Sequence, residues 1–242
     1  MSVLVLSDIH GNLAALGAVL DSVSERTDIT GCILLGDLID YGMHSNEVIT
    51  VIRQFPYRIL CNIWGNHEQA VCLEKYDRFS SERGRECARY TRGQLTDQSW
   101  TYLWKKMNRE GIFEFELEGK RCLAVHGSGE DYFWKSIDTA GELSQYQEYD
   151  YVFSGHSHIP HFTEKYYPVQ DEEHRNKKKT IFINPGSVGQ PRNHNPRAQF
   201  VIADIETEEV MFHKIAYDIK KEQAAFTGQV DLFYKNRLKS GV

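Results

Sequence analysis

Aspartate, histidine and asparagine recur in five short clusters. They are Ser7-Asp8-Ile9-His10-Gly11-Asn12, Gly36-Asp37-Leu38-Ile39-Asp40, Gly65-Asn66-His67-Glu68, His126-Gly127 and Gly155-His156-Ser157-His158. Carboxylates, imidazoles and an amide oxygen without any thiolate are a mixed N/O donor set, suited to divalent Mn, Fe, Zn, Ni or Co. Carboxylates can neutralise and bridge two such ions. A pair of ions roughly 3.5–4 Å apart clamps the attacking and leaving oxygens of an in-line displacement. Singly, each cluster is weak: Asp-x-His can be a helix cap beside a surface histidine, Gly-Asn-His-Glu a turn, and Gly-His-Ser-His an exposed strand edge. Their common placement is what argues for a site.

Each cluster follows a segment that reads as a strand. Val3 to Leu6, Cys32 to Leu35 and Tyr57 to Ile63 are apolar runs, as are Arg121 to Val125 and Asp150 to Phe153. Between the first three lie two helical patterns: one capped by Asn12 with Leu13, Leu16, Val19, Leu20 and Val23 on one side, the other from Asn46 to Phe55. Strand–helix alternation of this kind predicts an α/β domain. In open α/β sheets ligands bind beyond the carboxyl ends of the strands, so the five loops should converge.

From Glu68 to Glu110 the chain is charged, lacks proline and carries helical spacings, which predicts two or three helices. Ile112 to Leu117 alternates as a strand. Hairpins are expected from Phe162–Val169 with Thr180–Ile183 and from Phe200–Ile205 with Glu209–Ile215, and a helical tail over Ile219–Leu238. Without a repeat or a Gly/Ser linker, residues 1–242 are expected to form one domain. Its helical insertion over 73–110 could serve as a lid or an interface, and the oligomeric state stays open.

The chain has 242 residues, 41% hydrophobic and 26% charged, with a net charge of −6. Such a composition excludes a mostly disordered or fibrous chain. An acidic balance makes nucleic acid an unlikely partner. The basic run His174 to Lys179 adjoins Asp171, Glu172 and Glu173 and reads as a solvated hairpin tip. No stretch approaches the roughly 20 apolar residues of a membrane span. Val3 to Leu6 is too short for a signal core. Five cysteines without a C-x-x-C pair read as buried, reduced thiols, and the expected compartment is the cytoplasm.

With all five clusters intact and in order, the chain resembles the calcineurin-like metallophosphoesterase superfamily over roughly residues 1–70 and 112–205. The resemblance implies a four-layer α-β-β-α sandwich, two mixed sheets packed face to face with helices outside. It implies that Asp8, His10, Asp37 and His158 hold one metal, and that Asp37 bridges to a second completed by Asn66, His126 and His156. His67 would then protonate the leaving oxygen, Asp40 would orient His67, and a hydroxide bridging the metals would attack phosphorus in line. Asn184-Pro-Gly-Ser resembles a segment of the smaller bacterial and archaeal phosphodiesterases of the superfamily and is expected to shape the rim. Arg192, in the same stretch, could bind a substrate phosphate. His44, His161 and His194 are lesser candidates.

Ser/Thr protein phosphatases and symmetrical dinucleoside tetraphosphatases of the superfamily carry an arginine soon after the second aspartate of the second motif. The protein phosphatases carry another directly before Gly-Asn-His-Glu. Tyr41 and Trp64 stand there in this chain. A guanidinium is the usual fork for a dianionic phosphate, so its absence leans toward a diester, and both flat side chains could pack against a base or aryl group. The favoured reading is a dinuclear phosphodiesterase acting on a small diester or nucleotide, with manganese the first metal to assay. The alternatives are a phosphomonoesterase, protein phosphatase-like or dinucleoside tetraphosphatase-like enzyme, and a non-catalytic binding scaffold on the same fold.

Overall fold

The computed structural model describes residues 2–168 and 178–242. In chain order its strands are β1 (Ser2–Leu6), β2 (Ile29–Leu34), β3 (Ile59–Asn62), β4 (Ile112–Leu117), β5 (Lys120–Val125), β6 (Tyr151–Ser154), β7 (His161–Tyr166), β8 (Lys179–Asn184), β9 (Ala198–Asp204) and β10 (Val210–Ile215). Its helices are α1 (Leu13–Val23), α2 (Ser45–Arg53), α3 (Asn66–Leu73), α4 (Glu82–Gln94), α5 (Asp97–Lys105), α6 (Ile219–Ala224) and α7 (Leu232–Arg237). One sheet has the order β10-β9-β1-β2-β3 and the other β4-β5-β6-β8-β7. Both are mixed: β1, β2 and β3 run parallel, as do β5, β6 and β8, while β9, β10, β4 and β7 pair antiparallel.

Strand alternation explains how the sheets stack. Successive side chains point to opposite faces, so Val3 and Val5 enter the layer between the sheets with Ile33, Tyr151, Phe153, Ile181 and Ile183. Leu4, Leu6, Cys32 and Leu34 point the other way, onto a core shared with Leu16 and Val19 of α1 and Val48, Ile49 and Ile52 of α2. The outer face of the second sheet presents Leu123, Val125, Val152 and Phe182 to Ile137, Leu143 and Tyr146. That cover is irregular, with one 3-10 turn at Ser144–Tyr146. All five cysteines are buried and unpaired.

Two boundaries differ from expectation. Asn66 and His67 stand in the first turn of α3 rather than in a loop. The tail forms two short helices, broken near Gly228, whose φ of +102° is a backbone state open to glycine. Both expected hairpins pair antiparallel. The connection between β7 and β8, with most of the basic run from His174, lies outside the described residues. Lys178 and Lys179, at its end, pair with Asp150 and with Glu164 and Glu208. Among the described residues no helix is long and apolar enough to cross a membrane.

Candidate metal centre

The loops after β1 and β2 are laced together before any side chain is considered. Asp8 N–H donates to Gly36 O at 3.1 Å, His10 N–H to Asp37 O at 2.8 Å and Gly11 N–H to Leu38 O at 2.9 Å. Gly155 N–H donates to His126 O at 3.0 Å, bringing the loops after β5 and β6 alongside. The turns are tight enough that Asp8, His10, Asp37, Asp40, Tyr41, His156 and His158 all have positive φ, between 50° and 71°. This left-handed state is uncommon outside glycine, though Asp and His tolerate it better than most. Close approach adds two glycine requirements. A Cβ at Gly65 would lie 2.1 Å from Asp37 Oδ1, and one at Gly189 would lie 1.8 Å from Ile9 O.

The two central carboxylates divide their oxygens. Asp8 Oδ2 accepts the Ser7 hydroxyl at 2.5 Å and the His156 N–H at 3.2 Å. Asp37 Oδ1 accepts the His67 N–H at 2.9 Å. Asp8 Oδ1 and Asp37 Oδ2 are buried without a hydrogen-bond partner. Around them the imidazoles are oriented through their far nitrogens. His10 Nδ1 faces Ile39 O at 3.2 Å, His126 Nδ1 faces Leu35 O at 2.6 Å and His158 Nδ1 faces Gln190 O at 2.6 Å. A carbonyl can only accept, so in each ring Nδ1 carries the proton and Nε2 offers a lone pair.

Those lone pairs then confront other acceptors. His10 Nε2 and His158 Nε2 are 3.3 Å apart, and His158 Nε2 lies 3.1 Å from Asp8 Oδ1. His10 Nε2 is 3.5 Å from Asp37 Oδ2. One donor atom each from Asp8, His10, Asp37 and His158 fall within 4.8 Å of one another. On the other side of Asp37 Oδ2 stands His126 Nε2, at 3.4 Å. Asn66 Oδ1 is 3.0 Å from His126 Nε2 and 3.0 Å from His156 Nδ1. Electron pairs facing electron pairs in a buried space repel unless a cation lies between them, so the residues present fit a divalent metal.

Proton affinities carry the same message. Burial pushes His10 and His158 below the ordinary imidazole value and His156 down to about 3, which favours the neutral ligating form. His158 stays low despite Asp8, because burial is reinforced by Arg192. Burial acts the same way on His126, but Asp37 outweighs it and lifts the group to about 9. The carboxylate demands a positive charge at that position.

His67 is held differently. Its Nδ1 lies 2.6 Å from Asp40 Oδ2, and Asp40 Oδ1 accepts the Thr91 hydroxyl of α4 at 2.7 Å. Burial opposes protonation of His67, and Asp37 with Asp40 outweighs it, raising its value. Above these residues is a cavity of about 250 Å³, into whose wall His67, His156, His158, Tyr41 and Arg192 project. Trp64 does not reach it, which corrects its assignment as a substrate contact. Its ring is 1% exposed, with its indole N–H donating to Leu103 O at 2.8 Å. Its backbone N–H donates to Asn108 O, which turns the side chain into the helix-side core. His44, His161 and His194 are absent from the cavity wall.

The structure adds residues that sequence reasoning missed. Arg78, Phe79 and Trp134 complete the wall. The Asn184-Pro-Gly-Ser segment is a buried clamp more than a rim. Asn184 Nδ2 donates to Gly155 O at 2.7 Å, and Ser187 Oγ donates to Asp8 O at 2.7 Å. Glu68, fully buried, accepts the N–H groups of Asp37 at 2.8 Å, Leu38 at 2.7 Å and Gly65 at 2.8 Å, with Ile39 at 3.3 Å. Its place within Gly-Asn-His-Glu was visible; its tie to the Asp37 loop was not.

The calcineurin-like phosphoesterase superfamily domain model matches residues 1–208, and the chain belongs to that superfamily. It is a calcineurin-like metallophosphoesterase, a hydrolase class, with a candidate metal cluster at Asp8, His10, Asp37 and His158. An uncharacterized protein of Methanocaldococcus jannaschii is 30% identical over 223 residues, 90% of this chain and 88% of that one. A metallophosphoesterase from Sphaerobacter thermophilus has a solved structure with 27% identity, a TM-score of 0.76 and full coverage of both chains. A hypothetical protein from Pyrococcus horikoshii shares the fold with a TM-score of 0.80 at 21% identity, covering 100% of this chain and 98% of that one.

A buried donor stripped of its acceptor costs about 1–3 kcal/mol. Glu68→Ala strands four such N–H groups around Asp37, so it should lower the thermal midpoint far more than Glu47→Ala on the exposed side of α2, and weaken metal binding as well. Equal midpoints for the two variants would remove Glu68 from this supporting role.

Proposed function

We propose that this chain hydrolyses a small phosphodiester or nucleotide with two divalent cations. One would be held by Asp8, His10, Asp37 and His158, the other by Asp37, Asn66, His126 and His156. The observation that carries the reading is Asp37 Oδ2, buried without a donor and lying 3.5 Å from His10 Nε2 and 3.4 Å from His126 Nε2. Ions bound in such a pair polarise phosphoryl oxygens and ease the deprotonation of water.

The side chains do the rest. Thr91 fixes Asp40, Asp40 fixes the His67 ring, and Nε2 is left toward the cavity. Asp37 and Asp40 favour the protonated ring, so His67 is assigned as the general acid that protonates the leaving oxygen from Nε2. Arg192 would take a phosphate oxygen, and the Tyr41 ring would flank the ester group.

A phosphomonoesterase is the second reading, because Arg78 and Arg192 both line the cavity. Two guanidiniums at the wall offset the absence of arginine at positions 41 and 64. The diester remains preferred because Arg78 is already engaged by Asp131 at 2.7 Å, which leaves Arg192 as the wall's arginine without a carboxylate among the described residues. One free guanidinium answers a diester monoanion better than a dianion.

Asp37→Ala should fold, since the core does not depend on the metals for its bulk, yet lose both ions by elemental analysis. A variant keeping two ions per chain at wild-type occupancy removes Asp37 from the bridge. His67→Ala should keep its metals and lose roughly 10²–10⁴-fold in turnover, with smaller losses for good leaving groups, which need no proton. Equal losses for aryl and alkyl leaving groups would point instead to charge stabilisation by His67. At one pH, with one metal and one leaving group, an aryl diester should show a higher kcat/KM than the matching monoester. A tenfold monoester preference, about 1.4 kcal/mol in transition-state binding, would overturn the diester reading.

A further inference from the structure

Three aromatic rings line the cavity above the metal cluster: Tyr41, Phe79 and Trp134. They differ in how much surface they offer a ligand. Tyr41 is 8% exposed and already stacked on Tyr234, with ring centres 4.6 Å apart and the His10 ring at the same distance. Phe79 is buried too. Trp134 is only half-buried, so it is the ring of this wall with open surface.

Trp134 is also held in place from several sides. Asp131 Oδ1 accepts the N–H groups of Phe133 at 3.1 Å and of Trp134 at 3.0 Å. Asp131 Oδ2 accepts from Arg78 at 2.7 Å, and the Arg78 Cζ lies 5.3 Å from the indole ring centre. The indole N–H donates to Gln69 Oε1 of α3 at 3.2 Å. Gly127, next to His126, donates to Tyr132 O at 2.7 Å, and a Cβ there would lie 2.5 Å from Asp131 O. The loop that carries Trp134 is thus folded tightly onto the metal-site strand end, and a wall fixed in advance lowers the ordering cost of binding. Phe79 connects it to the assigned general acid, with its ring centre 5.1 Å from His67 and 5.2 Å from Trp134. On its other side Trp134 lies 6.5 Å from the His156 ring. A group attached to the oxygen that His67 protonates therefore meets Phe79 and then the open surface of Trp134.

Resting on the phosphoesterase reading above, we propose that Trp134, backed by Phe79, selects the leaving alcohol, and that this alcohol carries a flat aromatic ring, as a nucleoside or a benzyl-type alcohol does. Stacking on an indole rewards any flat π-face and tolerates variation in the ring that presents it. In the step itself the P–O bond to that alcohol breaks with its electron pair on oxygen, and the oxygen takes the proton of His67 Nε2. Water gives its hydroxyl to phosphorus and a proton back to His67.

The test has two arms. In the first, the manganese-loaded chain is given benzyl methyl phosphate and cyclohexylmethyl methyl phosphate, which share a primary leaving oxygen and differ in the flatness of the ring. The benzyl ester should show roughly tenfold higher kcat/KM, the scale of one stacked ring, chiefly through KM and with benzyl alcohol as the released product. The ratio should fall toward one in Trp134→Leu and largely persist in Trp134→Phe. Adenosine 5′-methyl phosphate, releasing adenosine, then tells a nucleoside from a simple aryl alcohol by whichever ester has the higher kcat/KM. The second arm needs no turnover: adenosine is titrated against the same chain and tryptophan emission is followed. A saturable change is expected in the wild type and in Trp104→Phe, whose ring is exposed elsewhere, and its loss in Trp134→Phe. A wild-type ester ratio near one, a ratio unchanged in Trp134→Leu, or an adenosine signal that is absent or survives in Trp134→Phe overturns the proposal and leaves the phosphoesterase reading to stand on turnover. Cleavage of no ester alongside a Trp134-dependent adenosine signal overturns the phosphoesterase reading and leaves the ring platform standing. The wild-type ratio needs no variant, so the proposal can fail even where Trp134→Leu does not fold.

Discussion

Two carboxylate oxygens, Asp8 Oδ1 and Asp37 Oδ2, sit in the interior without a donor, and much of the chain is arranged around that deficit. Left to itself, such a site would draw protons onto nearby imidazoles or open to water. The first escape is open to His126, which Asp37 lifts to about 9, while burial holds His10 and His158 low. His10, His126 and His158 have their Nδ1 protons committed to the carbonyls of Ile39, Leu35 and Gln190. Their Nε2 lone pairs are thereby aimed at the carboxylates. The electrostatic tension is relieved by positive charge at the centre, and the backbone keeps the groups from swinging apart.

Holding that geometry has a conformational cost. Seven residues of the site are in the left-handed region, each costing on the order of 1–2 kcal/mol for an L-residue without local help. The help is visible. The first two loops exchange backbone hydrogen bonds, Glu68 gathers the N–H groups of the Asp37 loop, and Ser187 and Asn184 clamp the loops that carry Asp8 and His156. Beneath them are strands whose buried side chains on both faces lock their position. Strain at a functional site persists only where its surroundings over-determine it, and here two sheets and four loops do so.

How much of this was legible in the chain depends on distance along it. Parallel strands ending in Asp, His or Gly-Asn could be read because strand, turn and ligand are neighbours in sequence and the apolar runs are unambiguous. The convergence of five loops followed from α/β topology. Trp64 shows where such reading stops: adjacency to Gly65 and Asn66 suggested a place at the site, but Asn108, forty-odd residues away, takes its backbone N–H and turns the ring inward. Thr91 reaches Asp40 across a similar gap, and nothing in its local surroundings announces a partner. The left-handed residues were hidden for another reason, since Asp and His tolerate that state without the glycine that would advertise it.

The elements outside the strand–loop core carry a different kind of information. Tyr41 begins in a loop of the candidate metal site, yet it packs with Cys87 of α4 and with Phe226, Tyr234 and Leu238 of the tail. The insertion and the C-terminal helices therefore meet on the same ring that touches His67 and His10. Substitutions in α4 or α7 can shift Tyr41, which forms part of the cavity wall, without replacing any group around Asp8 and Asp37. Thr91 of α4 also holds Asp40, so this helix bears on the His67 ring as well as on the wall. The sheet loops, tied to each other by backbone hydrogen bonds, constrain which reaction is available. The helices packed on Tyr41 reach the loops through side chains, Thr91 on Asp40 among them, and shape the wall that a ligand would meet.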